Sequence, residues 1–556
     1  MATETTPKTI KRLIACCDGT WMDSDNGYEE AGLLRKEGSL QIPSNVTRIS
    51  RCFEKRCNDG KLQVVNYESG VGTGSNVLDS ITGGAFGMGL AEVRVVGASR
   101  MRETYSFLCS NYMDGDEIIL VGFSRGAFTV RSVAGMIGNL GLLTREGVEF
   151  FYPIFKDMQH WMDDDYEDPF PNIPFPNKPK GKDAADVYRA RLEQLGYTRV
   201  RRSEGEGDII TIKAVGVWDT VGSLGIPRVL WLEKLGIRAD NDEFKWHDTN
   251  LSDRIEHAFQ ALALDETRPP FTPAVWERLP ENKYTTDLRQ VWFPGNHGNC
   301  GGGWEDQGMS NITLAYTDLE IGMMDQLASI GVEFDLPALE RCFFQNFKFY
   351  HKTPSKLSIK SRKRREKTKK RQWAINPIYE NNRPFRPWGL GTISKAPGLL
   401  YKLSGQTVRT PGLYRPTDRQ SKCDKSRYLL DTNERIHSSV RIRLACKGLG
   451  LNDEHVWDCP ALLSNWKLKR TRQKYTDPVP FQPGWCPNGG KDHMGHPNDW
   501  SKGRWVWEYV GNESDGPKET RQRIMVEEPL GPYERYLLNL SAGSPNVYHF
   551  ADTINS

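Results

Sequence analysis

The chain contains no apolar run near the roughly 20 residues that a bilayer-spanning helix needs, which argues against an integral helical membrane protein. Its N-terminus, MATETTPKTIKRLIACCDGT, has no secretory h-region; the one apolar stretch there is short and reads as a first strand. Cysteine pairing signals are missing too. The 11 cysteines are an odd count, scattered without C-x-x-C spacing, with Cys16 and Cys17 merely adjacent. That pattern predicts reduced thiols and a cytoplasmic protein rather than a disulfide framework. Charge of one sign is also missing. Against 71 acidic residues stand 74 Lys and Arg, a formal net charge of +3, too near neutral to imply nucleic-acid binding. What is present is core-forming material, 38% hydrophobic residues with 16 Trp in 556 residues. That is enough for two domains, or for one large domain with insertions.

The most informative stretch is EIILVGFSRGAFTVRSVAG. Glu117 to Val121 is an apolar, β-branched run of strand length. Gly122-Phe123-Ser124-Arg125-Gly126 follows as G-x-S-x-G, and apolar residues then continue at helical spacing to Met136 and Ile137. Strand, sharp turn and helix form the setting of a nucleophile elbow, which strains the serine backbone and exposes its hydroxyl above a sheet. Ser124 is therefore the candidate nucleophile.

A serine is inert at neutral pH unless a histidine takes its proton and an acid orients that histidine. In α/β-hydrolases the chain order is Ser, Asp or Glu, then His. Asp208 to Trp218 reads as a buried strand ending at Asp219, on the sheet edge where such folds bind ligands. The plainer alternative for Asp219 is a turn former or helix cap. Gln290 to Phe293 is a further strand leading into Pro294-Gly295-Asn296-His297 and a glycine run. Of the 10 histidines, His297 follows both a strand and the acid. Acyl transfer also needs backbone donors for the developing oxyanion. Arg125, next after the nucleophile, is one candidate. Gly19 and Thr20, after the apolar run Arg12 to Cys17, are the others, with an ordinary Asp-Gly turn as the plainer reading.

Taken together, CCDGTW, NYESGVGTG, GDEIILVGFSRGAFTVR, VGVWDTVGS, HAFQALALDETRPPF and VWFPGNHGNCGGG resemble one family over roughly residues 10–330. The resemblance is to the catalytic domain of type VI secretion phospholipase effectors and related uncharacterised fungal and bacterial α/β-hydrolases. It implies a triad of Ser124, Asp219 and His297, and ester hydrolysis. One departure stands out. The family commonly carries an aspartate two residues after the histidine, where this chain has Asn299.

The expected architecture is α/β: an α/β-hydrolase-like, mostly parallel sheet with helices on both faces, spanning residues 10–334. The loop Gly70 to Gly74 lacks the Gly-Lys-Ser/Thr ending of a P-loop and reads as backbone near the site. Residues 139–207 read first as a cap-like insertion, with Phe150, Phe151, Tyr152, Phe155 and Trp161 expected to be exposed beside the site, and otherwise as a peripheral helical hairpin. LSDRIEHAFQALALD, residues 251–265, reads as a helix covering one sheet face. Residues 335–556 read as an accessory region packed on the hydrolase. They contain a basic run from Lys360 to Arg371 with nine Lys or Arg against one Glu, read first as a solvated loop and otherwise as an anionic-surface contact or a nuclear signal. No His/Cys/Asp cluster has convincing ligand spacing, so neither metal nor other cofactor is expected. The expected function is serine hydrolysis of a carboxylic ester, either a lipid, with a peripheral membrane contact, or a small molecule. An acyl transferase, cyclase or lactonase of secondary metabolism, or a non-catalytic binding scaffold, remains as the alternative. Nothing in the sequence fixes an oligomeric state.

Overall fold

The computed structural model describes residues 9–19, 28–29, 39–40, 42–70, 89–202, 208–221, 251–315, 323–351, 386–387, 389–394, 406–416, 427–472, 503–512, 523–528, 530, 532–540, 547 and 550–551. The basic run from Lys360 to Arg371 and the glycine loop from Val71 to Gly74 lie outside them.

A 10-stranded sheet organises these residues. Its strands in chain order are β1 (Lys11–Cys17), β4 (Leu62–Glu68), β5 (Glu117–Phe123), β8 (Ile212–Trp218), β9 (Ile255–Ala263), β10 (Asp287–Phe293), β11 (Glu434–His437), β12 (Trp466–Thr471), β13 (Arg504–Tyr509) and β14 (Ile524–Glu528). Two short ribbons, β2 (Tyr28–Glu29) with β3 (Ser39–Leu40) and β6 (Leu142–Leu143) with β7 (Thr198–Arg199), stand apart. The sheet order is β12-β13-β14-β11-β10-β9-β8-β5-β1-β4. Pairing is parallel from β4 to β14 and antiparallel only at the β13 and β12 edge. β1 has β4 on one side and β5 on the other, so the direction of winding reverses between β1 and β5. Ligands bind at such a switch point, beyond the carboxyl ends of the strands. Cys17, Phe123, Trp218 and Phe293 all end their strands on that edge.

Alternation along the strands divides the core. Leu13, Ala15, Ile118, Leu120, Val215 and Val217 face one cluster, which includes helix α2 (Gly89–Asn111) and helix α3 (Arg125–Leu140). Ile14, Cys16, Ile119, Val121, Ala214 and Trp218 face the other. That second layer holds α1 (Asn45–Ser50) and the later helices Gly308–Ala315, Met323–Ser329 and Leu336–His351. A strand buried on both faces is apolar throughout, as in all-parallel sheets.

Two expectations are corrected. The segment expected as a helix over 251–265 is strand β9, sandwiched between β8 and β10. Its AFQALA run is rich in helix formers, but a short run buried on both faces has no period that separates strand from helix, and pairing on both sides decides. The aromatics of residues 139–207 are mostly not exposed. Phe151 and Phe155 are 2% exposed and Trp161 8%, all in the first core, while Tyr152 is exposed at 50%. Helices α4 (Arg145–Glu149), α5 (Phe151–Gln159) and α6 (Ala184–Gln194) build this part, and the α5 stripe of Phe151, Ile154, Phe155 and Met158 is its buried face. The segment extends the hydrophobic layer beside α3 because these residues recur at helical spacing.

The C-terminal strands continue the same sheet. β11 pairs with β10, and β14 pairs with β11. Trp292 of β10 shares a third core with Ile436, Trp466 and Trp507.

Candidate active site

Ser124 directly follows β5 with φ +57° and ψ −118°, a positive-φ conformation that a non-glycine residue adopts only when its surroundings impose it. Its N–H donates to Trp218 O at 3.0 Å, and α3 begins at the next residue. The flanking glycines are required sterically. A Cβ on Gly126 would stand 2.1 Å from Cys17 O, and one on Gly122 would stand 2.6 Å from Gly126 O. β1, β5 and α3 therefore meet backbone to backbone, and the serine is held at the α3 N-terminus, whose first-turn N–H groups lack intrahelical acceptors. Among the described residues the Ser124 hydroxyl has no hydrogen-bond partner, and the residue is 6% exposed.

Asp219, also left-handed at φ +42°, follows β8 directly and is fully buried. Its N–H donates to Ala261 O at 2.7 Å, which anchors the turn on β9. Oδ2 lies 2.6 Å from His297 Nδ1, and Oδ1 accepts from Ala263 N at 3.1 Å. His297 opens the short helix α7 (His297–Gly301) behind a capping box, in which the side chains of Asn296 and Asn299 each accept from the other's backbone N–H. Its ring lies between Phe123, centroids 4.7 Å apart, and Phe271, 4.8 Å away and edge-on. Nδ1 is committed to Asp219, and Nε2 has no partner among the described residues.

The structure thus brings Asp219 and His297 into contact, while Ser124 approaches them through its neighbours: the Phe123 ring packs at a tilt against the imidazole, and the Ser124 N–H is bound to the residue before Asp219. Among the described residues no hydrogen bond joins the Ser124 hydroxyl to either. Gly19 belongs to the same edge, since a Cβ on it would come within 3.2 Å of Ser124 Cβ. Its N–H, however, is donated to the Asp18 carboxylate at 2.7 Å. Arg125 heads α3. Thr20 lies outside the described residues.

Three features were not legible beforehand. Asp18 is a hub: Oδ2 accepts from Ser44 Oγ at 2.5 Å, Thr47 Oγ1 at 2.8 Å and Tyr67 OH at 2.8 Å. Burial pushes its carboxyl up from the ordinary range despite these donors. Glu266 accepts from His297 N at 3.3 Å and pairs with Arg268 at 2.7 Å. Burial opposes its charge, but Arg268 holds it below the usual range. The third is Arg409, from an irregular stretch far along the chain, whose guanidinium grips both oxygens of Asp219 at 2.5 and 3.0 Å. Burial alone would raise the Asp219 carboxyl; Arg409, and after it His297, instead bring it far below the usual carboxylate range. Asp18 and Glu266 sit inside the quoted motifs CCDGTW and ALALDETRPPF, which was the available signal. Arg409, in VRTPG, carries no local pattern.

At Asn299, where the family commonly has an aspartate, the amide is consumed by the capping box and by Thr392 O at 2.9 Å. Among the described residues no group of three or more His, Cys, Asp or Glu side chains is disposed to hold a metal.

A mostly parallel sheet covered on both faces, with a strained serine at its switch point and an Asp–His pair on the same edge, is an α/β-hydrolase-like domain. Residues 11–318 match the family described as type VI secretion system phospholipase effector, Tle1-like, catalytic domain, and the chain belongs to that family. It is also 25% identical over 292 residues to the uncharacterised protein YEL023C of Saccharomyces cerevisiae, an overlap of 49% of this chain and 33% of that protein. The chain therefore spans about a third of that relative's length. A crystal structure of an uncharacterised protein from Pseudomonas aeruginosa is similar at 15% identity and a TM-score of 0.30, covering 67% of this chain and 54% of that one.

Proposed function

We propose that the chain is a serine hydrolase of carboxylic esters, with lipid esters as the first substrate class, working through an acyl-enzyme. The observation that supports this most is the fully buried Asp219–His297 contact of 2.6 Å on the edge where Ser124 stands in its strained turn. Membership of a phospholipase-effector family favours lipid over other esters.

In this reading Ser124 Oγ attacks the ester carbonyl carbon while His297 Nε2 takes its proton. Asp219, accepting from Nδ1–H, orients the ring and stabilises the imidazolium. The oxyanion is received by the N–H of Arg125 and by a second donor from the end of β1. The candidates for that donor are Gly19, whose N–H is also given to Asp18, and Thr20. His297 then passes its proton to the leaving alcohol as the C–O bond breaks. In the second half it takes a proton from water, which attacks the acyl-serine and regenerates Ser124. None of these steps calls on a metal or another cofactor. A cytoplasmic, reducing setting belongs to the same reading, and the nine described cysteines are all free thiols.

A fluorophosphonate probe should label wild type on Ser124, and Ser124→Ala should lose both labelling and ester turnover while keeping its melting temperature. The loss should amount to about 4–8 kcal/mol of transition-state stabilisation. A panel varying acyl length and headgroup then orders lipid against short-chain substrates. Turnover surviving in Ser124→Ala would end the assignment, and an unlabelled, inactive wild type would favour a binding scaffold.

A further inference from the structure

We propose that Arg409 is a positioning residue that holds Asp219 ionised and thereby decides which nitrogen of His297 is free to accept the Ser124 proton. The proposal rests on the serine-hydrolase reading above and adds a part that lies beyond the matched residues 11–318.

Asp219 has no exposed surface. A carboxylate so placed either finds compensating partners or takes up a proton. Besides His297 Nδ1–H, its one neutral donor among the described residues is a backbone N–H, Ala263 N at 3.1 Å. Cationic compensation comes from the Arg409 fork, with Nη1 at 2.5 Å from Oδ1 and Nη2 at 3.0 Å from Oδ2. The fork is itself fixed: Nη1 also donates to Ala263 O at 2.6 Å and Nη2 to Phe271 O at 2.7 Å. Its segment is tied down on both sides, by Thr407 N on Thr267 O at 2.9 Å and by Gly412 N on the Glu434 carboxylate at 2.8 Å. Arg409 is thus built into the fold rather than recruited by substrate.

The consequence is chemical. An ionised Asp219 only accepts, so the imidazole keeps its proton on Nδ1 and offers Nε2 as the base. A protonated Asp219 donates to Nδ1 instead. The ring proton then sits on Nε2, which can no longer take the serine proton. The other ionisable groups facing this pair are Glu266, paired with Arg268 and close to both His297 and Arg409; the buried Cys300 thiol on α7; and the buried Tyr414 hydroxyl behind Arg409. Burial pushes both Cys300 and Tyr414 upward, so neither offers a negative charge near neutrality. Glu266 supplies no cation to replace Arg409. A planar fork matches the carboxylate, whereas lysine can supply the charge but not both contacts.

The test compares Arg409→Met and Arg409→Lys in the full chain, with kcat and KM for a soluble short-chain ester followed from about pH 6 to about pH 10. Arg409→Met should lower kcat about 10²- to 10⁴-fold near neutrality with KM little changed, as expected for a wrong imidazole tautomer. The deficit should shrink as pH rises, because hydroxide restores the Asp219 carboxylate that Arg409 no longer holds. Arg409→Lys should recover part of the rate. If the Met variant unfolds early, Arg409→Lys carries the test through the same alkaline recovery. Wild-type kcat in Arg409→Met, or a deficit equal at every pH in folded variants, would overturn the proposal. Ser124 labelling separates it from its parent: a labelled Ser124 with an unimpaired Arg409→Met removes the role of Arg409 alone, whereas an unlabelled wild type removes both.

Discussion

Ser124 and Asp219 are neighbours in strain. Both are non-glycine residues at positive φ, +57° and +42°, at the ends of adjacent parallel strands, and the N–H of Ser124 is bound to the carbonyl just before Asp219. Each such residue costs about 1–3 kcal/mol and persists only where its surroundings over-determine it. One of those surroundings is Gly301. A Cβ there would stand 1.9 Å from the Phe123 ring, the ring that also packs at a tilt against His297. Gly301→Ala should therefore push α7 and β5 apart, destabilising the protein by about 1–3 kcal/mol through overpacking. It should also lower kcat beyond what the stability loss explains, since the His297 ring moves with Phe123. Denaturant melts and steady-state kinetics on the same preparation check this, and a variant of unchanged kcat would show that the two rings are not coupled.

Helix α1 is short, yet it reaches both the β1 end, beside Gly19, and the histidine side of the candidate site. Ser44, its N-cap, accepts from Thr47 N at 3.0 Å and donates to Asp18. Asn45 Nδ2 donates to Cys300 O at 3.0 Å, on the helix that begins with His297. Removing Ser44 Oγ takes away a cap, worth about 0.5–2 kcal/mol, and leaves a buried carboxylate one donor short, worth about 1–3 kcal/mol. Ser44→Ala should thus melt earlier than wild type and turn over ester more slowly, because Asp18 fixes Gly19 beside Ser124. Melting at the wild-type temperature would mean that Thr47 and Tyr67 satisfy Asp18 without it. β9 teaches the converse about elements. Its residues have helical propensity, and only β8 and β10 on either side make it a strand.

On the scale of the molecule, the sheet crosses the expected boundary near residue 335, with β11 hydrogen-bonded to β10 and Arg409 reaching back to Asp219. The whole chain is nearly neutral at +3, so the run Lys360 to Arg371, with nine basic residues and one Glu, is a local concentration of charge. If the substrate surface is anionic lipid, each basic residue near it adds about 1 kcal/mol, screened by salt. Neutralising the run should then slow turnover on anionic vesicles, more at low salt than at high, and leave a soluble short-chain ester unaffected. Equal turnover on vesicles before and after neutralisation would identify the run as a solvated loop. Equal loss on both substrates would place it in folding or in the site entrance.

Much of the candidate site was legible because the pattern that marks it is local. An elbow needs a strand, two small residues around a serine and a helix, all within about 20 residues, and 117–137 carries them in order. Asp219 and His297 were readable for a similar reason: a parallel sheet delivers strand ends to one edge, so strand-end position in the sequence becomes proximity in space. Pairing and long-range charge decided the rest. β9 became a strand through its neighbours, and Phe151 and Phe155 turned inward because helix α5 presents them to the first core. Arg409 lies 190 residues from Asp219 and has no motif. A buried carboxylate demands a cation but does not say where along the chain it comes from, and only the folded contacts supply that address.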